Sequence, residues 1–159
     1  MVSTTGTVID SVTAQHAPVV NQFVSAASGD AGALQNAAGI MRYCGSGLGE
    51  TQMQLREDGQ QLGQSSGKAR RSFDRALSGQ LGTLEATSSG ALRCADAMQT
   101  LAAAMNQAHW RATEISTTFE LNAQLLSWAE AIPFLDRGEI LRLAQRNGEN
   151  AVSAGRDAM

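Results

Sequence analysis

Apolar residues recur at helical spacing almost from the start of this chain. Val8, Ile9, Val12, His16, Val19, Val20, Phe23, Val24 and Ala27 predict an N-terminal helix over 8–27, which Pro18 either opens or kinks. Ser28-Gly29-Asp30 breaks the pattern, and Asp30 is placed to cap the next helix. Leu34, Met41, Leu48, Leu55, Leu62, Ala69 and Ala76 then fall seven residues apart. A repeat of that period predicts helices wrapped on one another. The second half repeats it more fully: Leu84, Ala91, Met98, Met105, Ala112, Phe119 and Leu126 hold one heptad position, and Leu101, Ala108 and Ile115 the other. Leu81, Ala95 and Ala102 widen that stripe, and a long helix is expected over about 82–131.

Two places could reverse the chain between the seams. Gly63, Ser65, Ser66 and Gly67 form one turn candidate and Ser78-Gly79-Gln80 the other. A turn near 67 sets Cys44 opposite Cys94 in an antiparallel hairpin, offering one disulfide; a turn near 79 keeps them apart and reduced. Two small buried core thiols are the plainer reading of the same pair. Ile132-Pro133 ends the long helix, and Asp136 can cap a last helix over 136–158 that carries Ile140, Leu141, Leu143, Ala144, Ala151 and Val152. No stretch alternates with the period of a strand. The expected fold is therefore all-α: a single helical-bundle domain over 1–159 built on a long antiparallel hairpin at 30–131 between shorter terminal helices.

Composition narrows the function more than the fold. Aromatics are only 4% of the chain, so the core must be made of small and aliphatic side chains packed closely. The net charge is −3 and Lys68 is the only lysine, which leaves no basic face for nucleic acid. The first residues, MVSTTGTVIDSVTAQ, lack the basic and apolar regions of a cleaved leader, and no apolar run is long enough to span a membrane. Localisation is expected to be either export without a cleaved signal or the cytoplasm.

Few residues invite chemistry. Cys44-Gly-Ser-Gly-Leu-Gly-Glu50 echoes a phosphate loop, but it lacks the preceding strand and the acidic partner of a dinucleotide site, and Leu48 sits on the heptad seam. Its glycines are expected to let another backbone approach. His16 and His109 are the only histidines and belong to no HExxH or ExxH pair, so no metal, cofactor or small-molecule substrate is expected. Without a set of nucleophile, base and orienter, we expect no enzyme. Arg70, Arg71 and Arg75, with Asp74 among them, read as a solvated helix start. Trp110 and Trp128 lie off the main stripe of the long helix, as a second core face or as interface anchors. Trp110-Arg-Ala-Thr-Glu114 sets a ring and a carboxylate one turn apart on one side of that helix.

A leaderless, small-residue-rich hairpin with this element resembles the WXG100 and LXG superfamily of type VII (ESX-like) secretion substrates and targeting domains. Over about 30–131, Leu77-Ser-Gly79 stands where that family has its turn tripeptide, and Trp110-Arg-Ala-Thr-Glu114 where it has Y-x-x-x-D/E. No W-x-G is present, and Trp replaces the tyrosine. The resemblance implies a secreted or secretion-associated protein that forms a homodimer or heterodimer through a helical bundle. Two other settings use the same physics. One is a type III secretion coiled-coil effector or chaperone, including a Trp-x-x-x-Glu guanine-nucleotide exchange factor; the other is a cytosolic helical scaffold.

Overall fold

The computed structural model describes residues 8–62 and 67–158. They form four helices, α1 (Val8–Ala27), α2 (Ala31–Gln61), α3 (Lys68–Glu130) and α4 (Arg137–Ala158), with no strand among the described residues. The all-α expectation holds. By contacts the chain divides into two compact units, one of residues 1–29 with 104–159 and one of residues 30–103. α3 therefore supplies residues to both.

The first unit holds the large buried side chains. Ile9 and Val12 of α1 pack with Ile140 and Ala144 of α4 against Leu126 and Ala129, and Val20 packs with Phe119 and Ala151. Gly148 and Gly155 let α4 close on α1: a Cβ at either position would run into the ring of His16 or of Phe23. Both pairs keep one offset in numbering, so α1 and α4 run the same way. At the α1 N-terminus, the Ile9 amide donates to Glu130 Oε2 at 3.4 Å, which partners one of the amides a helix start leaves open. Pro18 stands exposed inside α1 without ending it.

In the second unit the buried positions are small. Ala31, Ala38, Gly45 and Gly59 of α2 are buried, while Leu34, Leu48 and Leu55 are half-buried beside them. Facing them on α3, Ala95 and Ala102 have no exposed surface. Arg42 bonds Asp96 and Gln99 at 2.7 Å, Ser88 Oγ donates to the Gly45 carbonyl at 2.7 Å, Gln52 reaches the Leu81 carbonyl at 3.4 Å, and Leu77 covers Gly59. Asp30 caps α2, its Oδ1 accepting from the Ala33 amide at 2.8 Å, and Asp136 Oδ1 likewise accepts from the Gly138 amide at the start of α4. Both capping expectations are met.

Several expectations change. α3 begins at Lys68, so residues 77–79 lie inside a helix and Ser78-Gly79-Gln80 is not a turn. The glycines there cost propensity, but they stand exposed on the side of the helix away from half-buried Leu77, Leu81 and Leu84, and the helix runs on through them. Of the earlier turn, 63–66 lie outside the described residues, as does the start 1–7. Gly67 has φ of 108°, a conformation open to glycine and strained for other residues. Ala69 and Ala76 sit exposed on α3, so the first heptad series stops at α2. Leu101 is also exposed, because the buried path moves along Met98, Ala102 and Met105.

Candidate interaction surface

Trp110 and Glu114 are both exposed on α3, the tryptophan at 76%. One turn of helix carries the ring and the carboxylate on the same side, away from the buried Ala112 and Phe119. Trp128, at 72% exposure, shares that outer side. Neither tryptophan forms a second core face. Leu77 is half-buried against Gly59, and Gly79 has open space where a Cβ would stand, so these two residues are mid-helix and not in a turn.

Cys44 and Cys94 are free thiols, the first exposed and the second half-buried, and the structure contains no disulfide between them. The reason is angular. Gly45 is the residue turned onto Leu92 and Ser88, and a step of one residue rotates a helix position by about 100°. That rotation carries Cys44 out to solvent. Gly45 itself settles what the glycine-rich stretch does locally: a Cβ there would lie 3.2 Å from the Ser88 carbonyl oxygen, so two backbones meet at this point. His16 packs on Gly148, and His109 is exposed. Among the described residues no group of three or more His, Cys, Asp or Glu is placed to hold a metal ion, and no helix is long and apolar enough to cross a membrane. Arg70 bonds Asp74 at 2.9 Å and stacks over Phe73 at the start of α3.

Two grooves flank the outer side of α3 in the first unit. Between α3 and α4 run adjoining hollows of about 380 and 340 Å³, sharing Asn122, Asn147 and Asn150; Glu114 lines the first, Leu125, Leu143 and Arg146 the second. The asparagines are held in place: Asn147 Nδ2 donates to the Phe119 carbonyl at 3.1 Å and Asn122 Nδ2 to Asn147 Oδ1 at 3.0 Å. On the α1 side a hollow of about 360 Å³ is lined by Asp10, Glu120, Gln124 and Trp128.

Neither a family model, nor a curated protein, nor a solved structure matches this chain. The surface has to be read from its own residues. Sequence reasoning found Trp110, Glu114 and Trp128 but passed over Leu121, Leu125 and Phe134, all exposed, and it counted Leu143 with the apolar residues of the last helix, where it also stands exposed. The signal was present: Leu121, Leu125 and Trp128 stand at i, i+4 and i+7, a second apolar stripe outside the first.

Proposed function

We propose that this chain is a non-enzymatic helical interaction protein, exported by or assisting a specialised bacterial secretion system, that works by pairing helices with a protein partner. What carries the reading is the exposure of large aromatic side chains on α3. In the first unit Trp110 and Trp128 of α3 stand 76% and 72% exposed. A surface that displays large aromatics on rigid helices is suited to anchoring a partner.

Residues 30–131 would act as a long antiparallel hairpin. In support, contact partners on α3 descend from Asp96 to Leu77 as α2 ascends from Arg42 to Gly59. The secretion setting comes from the resemblance to the type VII superfamily, with Trp110 and Glu114 as the element a targeting partner would read.

Export from cells that carry such a system, compared with cells in which it is deleted, tests the setting. We expect system-dependent export that Glu114→Ala and Trp110→Ala abolish while the far-ultraviolet ellipticity stays unchanged, since both side chains are exposed. Export that is absent, or that ignores both changes, would overturn it.

A further inference from the structure

Three of the chain's six asparagines, Asn122, Asn147 and Asn150, meet in the groove between α3 and α4 of the first unit. The two hollows that share them are continued by a third, of about 290 Å³, which reaches from Glu114 to Asp157. On α3 the lining runs at helical spacing from Arg111 to Leu126. At about 1.5 Å per residue that is about 22 Å, the length of about seven residues of extended chain at about 3.3 Å each.

The fold fixes which polar atoms the groove offers. The Phe119 carbonyl can only accept, so Asn147 turns Nδ2 toward it and Oδ1 toward Asn122, which donates through its own Nδ2. Asn122 Oδ1 is left as an acceptor on one wall. Asn150, on the other wall, and Thr118 make no hydrogen bond among the described residues. A side-chain amide carries the same donor and acceptor as a peptide group, so free asparagines along a groove match the N–H and C=O of an extended backbone. A helical partner has already bonded those groups to one another, and its backbone would leave the asparagines unpaired.

The two ends of the groove differ in character. At one, Leu125 and Leu143 stand 59% and 46% exposed around the hollow that Arg146 also lines. At the other, Glu114 and Asp157 outnumber Arg111. No ion pair among the described residues engages any of these four charges.

We propose that the groove between α3 and α4 binds an extended protein segment of about seven residues, held through its backbone by Asn122 and Asn150. An aliphatic side chain of that segment sits between Leu125 and Leu143, an acidic one meets Arg146, and a basic one meets Glu114 and Asp157. The inference goes beyond the pairing of helices and needs neither export nor Trp110.

The test is titration of the full chain with a fluorescein-labelled heptapeptide capped at both ends, with lysine first, leucine and glutamate last, and serine and alanine between. Saturable binding is expected, read by fluorescence anisotropy. Methylating the central backbone nitrogens of the peptide should weaken it about tenfold. Asn150→Ala should weaken it about fivefold with an unchanged melting temperature, because that side chain is exposed and makes no bond of its own. A peptide with lysine in place of the glutamate should bind the parent chain more weakly, and Arg146→Glu should reverse that preference. The proposal would be overturned by no saturation up to about 1 mM, by indifference to backbone methylation or to Asn150→Ala, or by a peptide preference that Arg146→Glu does not reverse. Tighter binding of a hydrocarbon-stapled, helical peptide of the same composition would also overturn it, and would make the groove a helix-docking site. Binding is read on the purified chain, so its failure leaves the export test untouched, and a failed export test leaves the groove standing.

Discussion

Gly45 and Gly47 lie two residues apart on the same helix and should respond to alanine in opposite directions. Replacing glycine by alanine in a helix interior gains about 1 kcal/mol of propensity wherever the methyl group meets nothing. At Gly47 a Cβ would have nothing within 4 Å, so the full gain is available. At Gly45 the same carbon would lie 3.0 Å from Leu92 Cγ and 3.2 Å from the Ser88 carbonyl oxygen. The leucine can rotate, but a backbone oxygen moves only with its helix, so α2 and α3 must separate by a few tenths of an ångström. That opens the Ser88–Gly45 hydrogen bond and loosens the Ala38 and Ala95 contacts, an overpacking cost of about 1–3 kcal/mol. The two variants should then differ by about 2 kcal/mol, Gly47→Ala above the parent and Gly45→Ala at or below it. In a chain of this length, 1 kcal/mol moves the melting temperature by about 2–4 °C. Thermal and urea melts followed by helical ellipticity would resolve this. If Gly45→Ala raised both midpoints as much as Gly47→Ala, the close backbone approach would be refuted.

Gly155→Ala should lower stability by about 2 kcal/mol, because the added methyl enters the space of the Phe23 ring between α1 and α4; a pairing with Phe23→Leu that recovers part of the loss would locate the clash. Asp30→Ala should cost about 1 kcal/mol through the lost bond to the Ala33 amide, and Asp30→Asn almost nothing, as read by urea midpoint. Asn147→Leu should cost about 1–2 kcal/mol by removing the bonds to Phe119 and Asn122, checked the same way. Arg42→Ala should fall within about 0.5 kcal/mol of the parent, since its pair with Asp96 stands largely in solvent and is screened there.

The leucine and methionine repeats announced helices because large side chains at a fixed period leave a visible trace. In α2, however, that trace marks the flank of the contact. The residues that close on α3 are Ala31, Ala38, Gly45 and Gly59, also multiples of seven apart, and a hydrophobicity pattern cannot register a seam made by the absence of side chains. The same blindness moved the expected start of the long helix from 68 to 82: Gly79 and Gly82 read as punctuation, although their Cβ positions face open space and break nothing. Glycine in this chain carries three different meanings. It permits a left-handed turn at Gly67, close approach at Gly45 and Gly155, and nothing in particular at Gly79, and only the neighbours distinguish them.

The interaction surface was half legible for a related reason. Trp110 and Trp128 stood out as rare residues, and off-stripe position suggested that they had a separate task. Whether an off-stripe face is covered depends on which helices come back to it, and that is fixed by the distant contacts of α1 and α4 with α3. Phe119, Ile115 and Leu126 take those contacts, using one side of α3 for Val20, Ala151 and Ile140. With that side occupied, the leucines and tryptophans opposite stand exposed. The packing that gives this unit its core thus leaves an apolar face on the opposite side of the same helix.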